Sequence, residues 1–161
     1  MKTIVVGLGN PILGDDGVGW KVAEEVMKRL PEDAPVDVVC LPVGGIGLME
    51  NLIGYDLAIL VDALATDAPV GSISILKLSQ LPSYSALHTT SAHDTSLQRA
   101  MELGEAMGAH LPEDVTIVGI ATRQVFDFSE ELSPPVARVV HSAVMIVLDM
   151  LKENVLQVEA D

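Results

Sequence analysis

The chain has 161 residues, 49% of them hydrophobic and 20% charged, with 23 acidic against 9 basic side chains and a formal charge of −14. This length suits one domain with one core, and so acidic a surface repels phosphate backbones, which argues against nucleic-acid binding. A single cysteine excludes an internal disulfide and an all-cysteine metal cage.

The first predicted element is a strand over residues 3–8, running into the glycine-rich turn GLGNPILGDDGVG and then into a helix over about 17–30. Glycines let a chain turn sharply at a strand's end, so Asp15 and Asp16 are expected at the mouth of a sheet. The helix carries Val18, Val22, Val26 and Leu30 on one face, with Pro31 just past its end. A second strand is predicted at 36–42, and Cys40 inside it reads as a small buried apolar residue. A short helix near 46–53 follows the Gly44-Gly45 pair. A third strand at 57–62 closes on Asp62, a carboxylate expected to emerge at the strand's carboxyl end because burying it unpaired is costly.

A fourth strand is expected at 72–78. Only TDAPVG and a few neighbours separate it from the third, too few residues for a helical crossover, so one antiparallel pairing is expected in this region. The polar stretch HTTSAHDTS, containing His93, leads into a helix near 95–108, followed by a strand at 115–120. The last helix opens at Ser133 as N-cap with prolines in its first turn. It repeats Val136, Val139, Val140, Ala143, Val144, Val147, Leu148 and Leu151 at the helical period. Residues 1–152 are expected to form the single α/β domain and 153–161 a polar, poorly ordered tail.

Strands alternating with helices predict an α/β fold, a three-layer α/β/α sandwich around a mostly parallel, mixed five-stranded sheet. No run of about 18 uninterrupted apolar residues occurs and no secretory pattern opens the chain, so a soluble, cytoplasmic protein without membrane association is expected.

Asp16, Asp62 and His93 are expected to converge at one edge of the sheet. Two oxygen donors and an imidazole suit a borderline divalent cation, zinc or nickel, with coordination positions left open. Taken alone, Asp16 reads equally as negative charge at a helix N-terminus, and Asp62 as a strand-end turn residue. His88, His110 and His141 read as solvated bystanders. Ile12 stands where a dinucleotide fingerprint needs its third glycine, and no phosphate-loop lysine follows. Neither G-x-S-x-G nor H-E-x-x-H occurs.

GLGNPILGDDGVG, the pair Gly44-Gly45, LVDA ending at Ala63, SAH ending at His93, VGI at 118–120 and LSPPV at 132–136 together resemble the hydrogenase maturation endopeptidases. The resemblance spans nearly the whole chain, in order. It implies a mixed sheet sandwiched by helices, of the phosphorylase/hydrolase-like kind. It also implies removal of a C-terminal extension from the large-subunit precursor of a nickel-iron hydrogenase after nickel insertion. Asp16, Asp62 and His93 then become the residues that meet the metal and carry catalysis, with nickel supplied by the precursor and zinc or cadmium able to occupy the site in a crystal. Asp16 ranks first as general base on water and Asp62 second. A monomer is expected. The chain departs from the family at Val43, where many members carry an acid, and at Ala121, Thr122 and Arg123, near where many carry Pro-Glu. Two other readings are a non-catalytic nickel-dependent maturation chaperone and a peptidyl-tRNA hydrolase, which shares GLGNP but needs a basic surface.

Overall fold

A computed structural model describes residues 1–81, 83–85, 95–123 and 127–156. Five strands, β1 (Thr3–Leu8), β2 (Val36–Leu41), β3 (Leu57–Ala65), β4 (Ile73–Lys77) and β5 (Asp114–Thr122), form one sheet in the order β2-β1-β3-β5-β4. The helices are α1 (Val18–Arg29), α2 (Gly45–Leu52), α3 (Leu97–Ala106), α4 (Pro134–Ala137) and α5 (Val140–Leu151). The expected three-layer α/β sandwich is present.

The apolar period of two along the strands splits the core into two layers. Ile4, Val6, Leu8, Ala58, Leu60 and Ile117 face one side, against Leu48, Leu52, Leu97 and Ala100 of α2 and α3. Val5, Ile59, Val61, Val118 and Ile120 face the other, against Val22 and Val26 of α1 and Val144 and Val147 of α5. Both faces are covered, so the central strands β1, β3 and β5 are apolar almost throughout.

All pairings are parallel except β4 with β5. The expected antiparallel strand exists, but its partner is β5 and not the preceding β3. Both edges of β3 are taken, by β1 and β5. β5 is buried along nearly its whole length and needs neighbours on both sides, whereas β4, half-exposed and carrying Ser74 and Lys77, is suited to an edge.

The last helix is divided: α4 and α5 are separated at Arg138 and Val139. The stretch Pro134–Val155 is long and apolar enough, by length and composition alone, to cross a membrane. Its stripe Val136, Ala143, Val144, Val147, Leu151 and Val155 is buried against the sheet at helical spacing, the pattern of a core helix. A π-type turn over Lys152–Leu156 follows and buries Val155, so the segment expected as polar tail begins as packed helix.

The order of the sheet positions the site. From β1 the chain goes through α1 to β2 on one side, then returns through α2 on the opposite face to β3 on the other side. The connections part between β1 and β3, and ligands of open α/β sheets bind in the crevice outside the carboxyl ends of strands at such a point.

Candidate active site

Asp16 and Asp62 stand on the two sides of that crevice. Asp16 lies in a short 3-10 turn, Gly14–Gly17, that links β1 to α1 and packs against β3. Gly9, at φ +126°, turns the chain out of β1 so tightly that a Cβ there would lie 1.9 Å from the Asp16 carbonyl oxygen. The start of α1 presses on the sheet through Gly19, whose Cβ would lie 2.3 Å from the Val61 carbonyl and 2.4 Å from that of Leu8. A side chain at either position would lift the turn away from β3. Asp16 is 9% exposed, and its Oδ2 accepts the Asn10 amide at 2.9 Å.

Asp62 does not emerge at a strand end as expected. β3 continues through Ala65, paired with β5 as Asp62↔Gly119, Ala63↔Ile120, Leu64↔Ala121 and Ala65↔Thr122. On the other side the ladder with β1 ends at Gly7↔Val61. Asp62 therefore sits one residue past the last β1 pairing but still inside the sheet, and it is fully buried. The Tyr84 hydroxyl donates to its Oδ2 at 2.8 Å. Its Oδ1 is buried and has no hydrogen-bond partner among the described residues.

Burial pushes the Asp62 carboxyl well above the usual carboxylate range, and the nearby negative charge of Asp16 adds to this. The Tyr84 hydrogen bond and the Ala63 amide oppose the shift without cancelling it. Burial, then the Asp62 charge, pushes the Tyr84 hydroxyl upward as well. Among the described residues no cation contributes to either shift. Two buried carboxyls within electrostatic reach of each other are costly when, as among the described residues, no positive group offsets them, and a buried oxygen without a partner there calls for an explanation. A cation arriving from outside would supply one, since oxygen donors suit a divalent ion.

His93 falls within residues 86–94, outside the described residues, as does His88. Among the described residues no three of His, Cys, Asp and Glu form a metal-sized group, so the acids make a pair there. His110 is bonded to Asp56 at 2.8 Å and His141 lies 3.4 Å from Arg29; neither is among the groups acting on Asp62. Cys40 is half-buried and its thiol is pushed up to about 11, by burial and by Glu24, which suits an inert packing residue.

The sequence of the chain from residue 20 to residue 150 matches the family model HycI, hydrogenase maturation protease. The chain belongs to that family. Among curated relatives, the hydrogenase expression/formation protein HupD of Rhizobium leguminosarum bv. viciae is 24% identical over 151 residues, covering 94% of this chain and 74% of the relative. HoxM of Azotobacter vinelandii is 25% identical, covering 94% of this chain and 72% of the relative. Among solved structures, the hydrogenase maturating endopeptidase HybD from E. coli superposes with a TM-score of 0.77 at 25% identity, covering 96% of this chain and 94% of that one.

At this candidate site Tyr84 was not apparent from the sequence, and neither was the role of Asp15. Tyr84 lies in the undistinguished run LPSYS, and nothing in its spacing marks it. Asp15 does not share the role of its neighbour. Its carboxylate accepts the Ser133 amide on Oδ1 and the Ser133 hydroxyl on Oδ2, both at 2.7 Å. Ser133 is the N-cap of α4 as expected, but its hydroxyl serves Asp15 and makes no cap bond. The paired acids thus divide their work, one tethering the turn to the start of α4 and the other, bonded to the Asn10 amide, lying within electrostatic reach of Asp62. Val43, where many members carry an acid, packs against the α2 and α3 side of the core. Arg123, just past β5, lines a cavity of about 360 Å³ together with Asp15, Val70, Ser133 and Pro135.

Proposed function

We propose that this protease removes the C-terminal extension of a nickel-iron hydrogenase large-subunit precursor, and that nickel already held by the precursor is what it recognises. The reading rests above all on the Asp62 Oδ1 atom, buried and without a hydrogen-bond partner among the described residues, within electrostatic reach of Asp16 at the parting point of the sheet. Asp16, Asp62 and His93 complete the coordination of the precursor's nickel, and the peptide bond beside it is thereby held in register for attack by water. Asp16, at the solvent edge of the pair, acts as general base on that water. The protein works as a monomer in the cytoplasm.

Recognition of this kind makes processing conditional. Without nickel, two carboxyls and a histidine have no metal to meet, and docking loses its central contact. Incubation with nickel-loaded precursor should shorten the large subunit on a denaturing gel, whereas nickel-free precursor should remain full length. Cleavage of both forms at one rate would refute nickel recognition, and loaded precursor that binds but stays uncut would refute the protease reaction.

A further inference from the structure

The Tyr84 side chain joins three parts of the fold. Its amide donates to the Leu81 carbonyl at 3.0 Å, and its carbonyl accepts the Leu97 amide, the first of α3, at 3.0 Å. Its ring is 7% exposed and packs in the core layer of α2 and α3, and its hydroxyl reaches Asp62 Oδ2 at 2.8 Å. A tyrosine has two side-chain torsions. With the backbone bonded on both sides and the ring packed, the hydroxyl has one place to be.

A carboxyl left alone rotates about its last torsion and presents either oxygen. Bonded to Tyr84 through Oδ2, with the Ala63 amide also acting on its carboxyl, Asp62 has that freedom reduced, and Oδ1, which has no partner among the described residues, is the oxygen left for a ligand. From this we infer that Tyr84 is a positioning residue of the protease: it holds Asp62 by one oxygen so that the other is presented, pre-oriented, to the metal carried by the precursor. The inference rests on Asp62 meeting that metal. Groups that orient metal ligands typically change affinity by 10–100-fold when removed. Phenylalanine would keep the ring in the core and delete only the hydrogen bond.

The test compares wild-type and Tyr84→Phe protein in steady-state processing of nickel-loaded precursor, with nickel-free precursor added as a competitive inhibitor. Expected are a KM for loaded precursor raised about tenfold, a Ki for nickel-free precursor within about twofold of wild type, since that form offers no metal to orient, and a lower melting temperature, because Asp62 Oδ2 is left buried without its donor. Leu111→Ala, which damages the same core layer away from Asp62, serves as the packing control: it should lower the melting temperature without raising that KM. If Tyr84→Phe behaves like the packing control, or weakens loaded and nickel-free precursor equally, or changes nothing, the positioning role is overturned. If wild-type protein gives nickel-free precursor a Ki equal to the KM for the loaded form, nickel recognition itself fails, and the inference fails with it.

Discussion

The two rims of the sheet treat their acids in opposite ways. At the amino ends of the strands, Asp56 accepts the Lys2 amide at 2.7 Å and His110 at 2.8 Å, Asp114 pairs with Lys77 at 2.6 Å, and Asp37 accepts the Tyr55 hydroxyl at 2.6 Å. These groups lie in solvent with partners around them, and the Lys2 amide and His110 hold the Asp56 carboxyl below its ordinary range. At the carboxyl ends, Asp16 and Asp62 are buried with no cation beside them among the described residues, and burial drives Asp62 the other way. The acids of the first rim are wet and paired, whereas those of the second are dry and within electrostatic reach of each other. Under the proposed function, the precursor's metal completes the second arrangement.

Substitutions can break this contrast, and the largest effect belongs to the carboxyl rim. Asp62→Ala, Asp16→Ala and His93→Ala should each abolish precursor processing while circular dichroism stays that of a folded protein. A variant that processes normally removes its residue from the site. Val144→Asp is the counterpart in the core: it places an unpaired charge where α5 meets the sheet, and should cost about 4 kcal/mol or more, enough to unfold much of the protein in a denaturant titration. Gly19→Ala lies between the two. Its Cβ would meet the Val61 and Leu8 carbonyls, so a loss of about 1–3 kcal/mol is expected together with loss of processing, because Asp16 is carried away from Asp62.

The pH dependence sharpens the contrast further. The folded protein holds the Asp62 proton more tightly than the unfolded chain does, so unfolding releases it. The associated stability is complete below the ordinary value of 3.8 and is lost as pH rises through the folded value. Asp62→Asn should therefore melt higher than wild type at neutral pH, by about 2–4 °C for each kcal/mol relieved, and show a flatter profile above pH 4. Asp56 has the opposite sign. Its stabilising contribution is present above 3.8 and is lost as pH falls through its lowered value, so Asp56→Asn should produce only a small fall in melting temperature, flatten the acid limb and leave processing unchanged. Equal profiles for the two variants would dissolve the distinction between the rims.

The elements themselves were readable along the chain. Strand patterns at 3–8, 36–42 and 115–120 are observed at Thr3–Leu8, Val36–Leu41 and Asp114–Thr122, because apolar runs and helical periods are local properties. Asp16 and Asp62 could be singled out for the same reason, as carboxylates in apolar or glycine-rich surroundings. What Asp62 does there was not readable. A strand ending was inferred at the charge, whereas Gly119 and the residues after it extend the ladder past Asp62 and enclose it.

Sequence alone therefore determined the layers, the apolar core and the two acids, since each depends on residue type and short-range spacing. Tertiary structure alone decided that β4 lies against β5, that Tyr84 holds Asp62 across 22 positions and that Asp15 reaches Ser133 across 118. Such contacts depend on which surfaces the packed sheet brings together, and no periodicity along the chain records them.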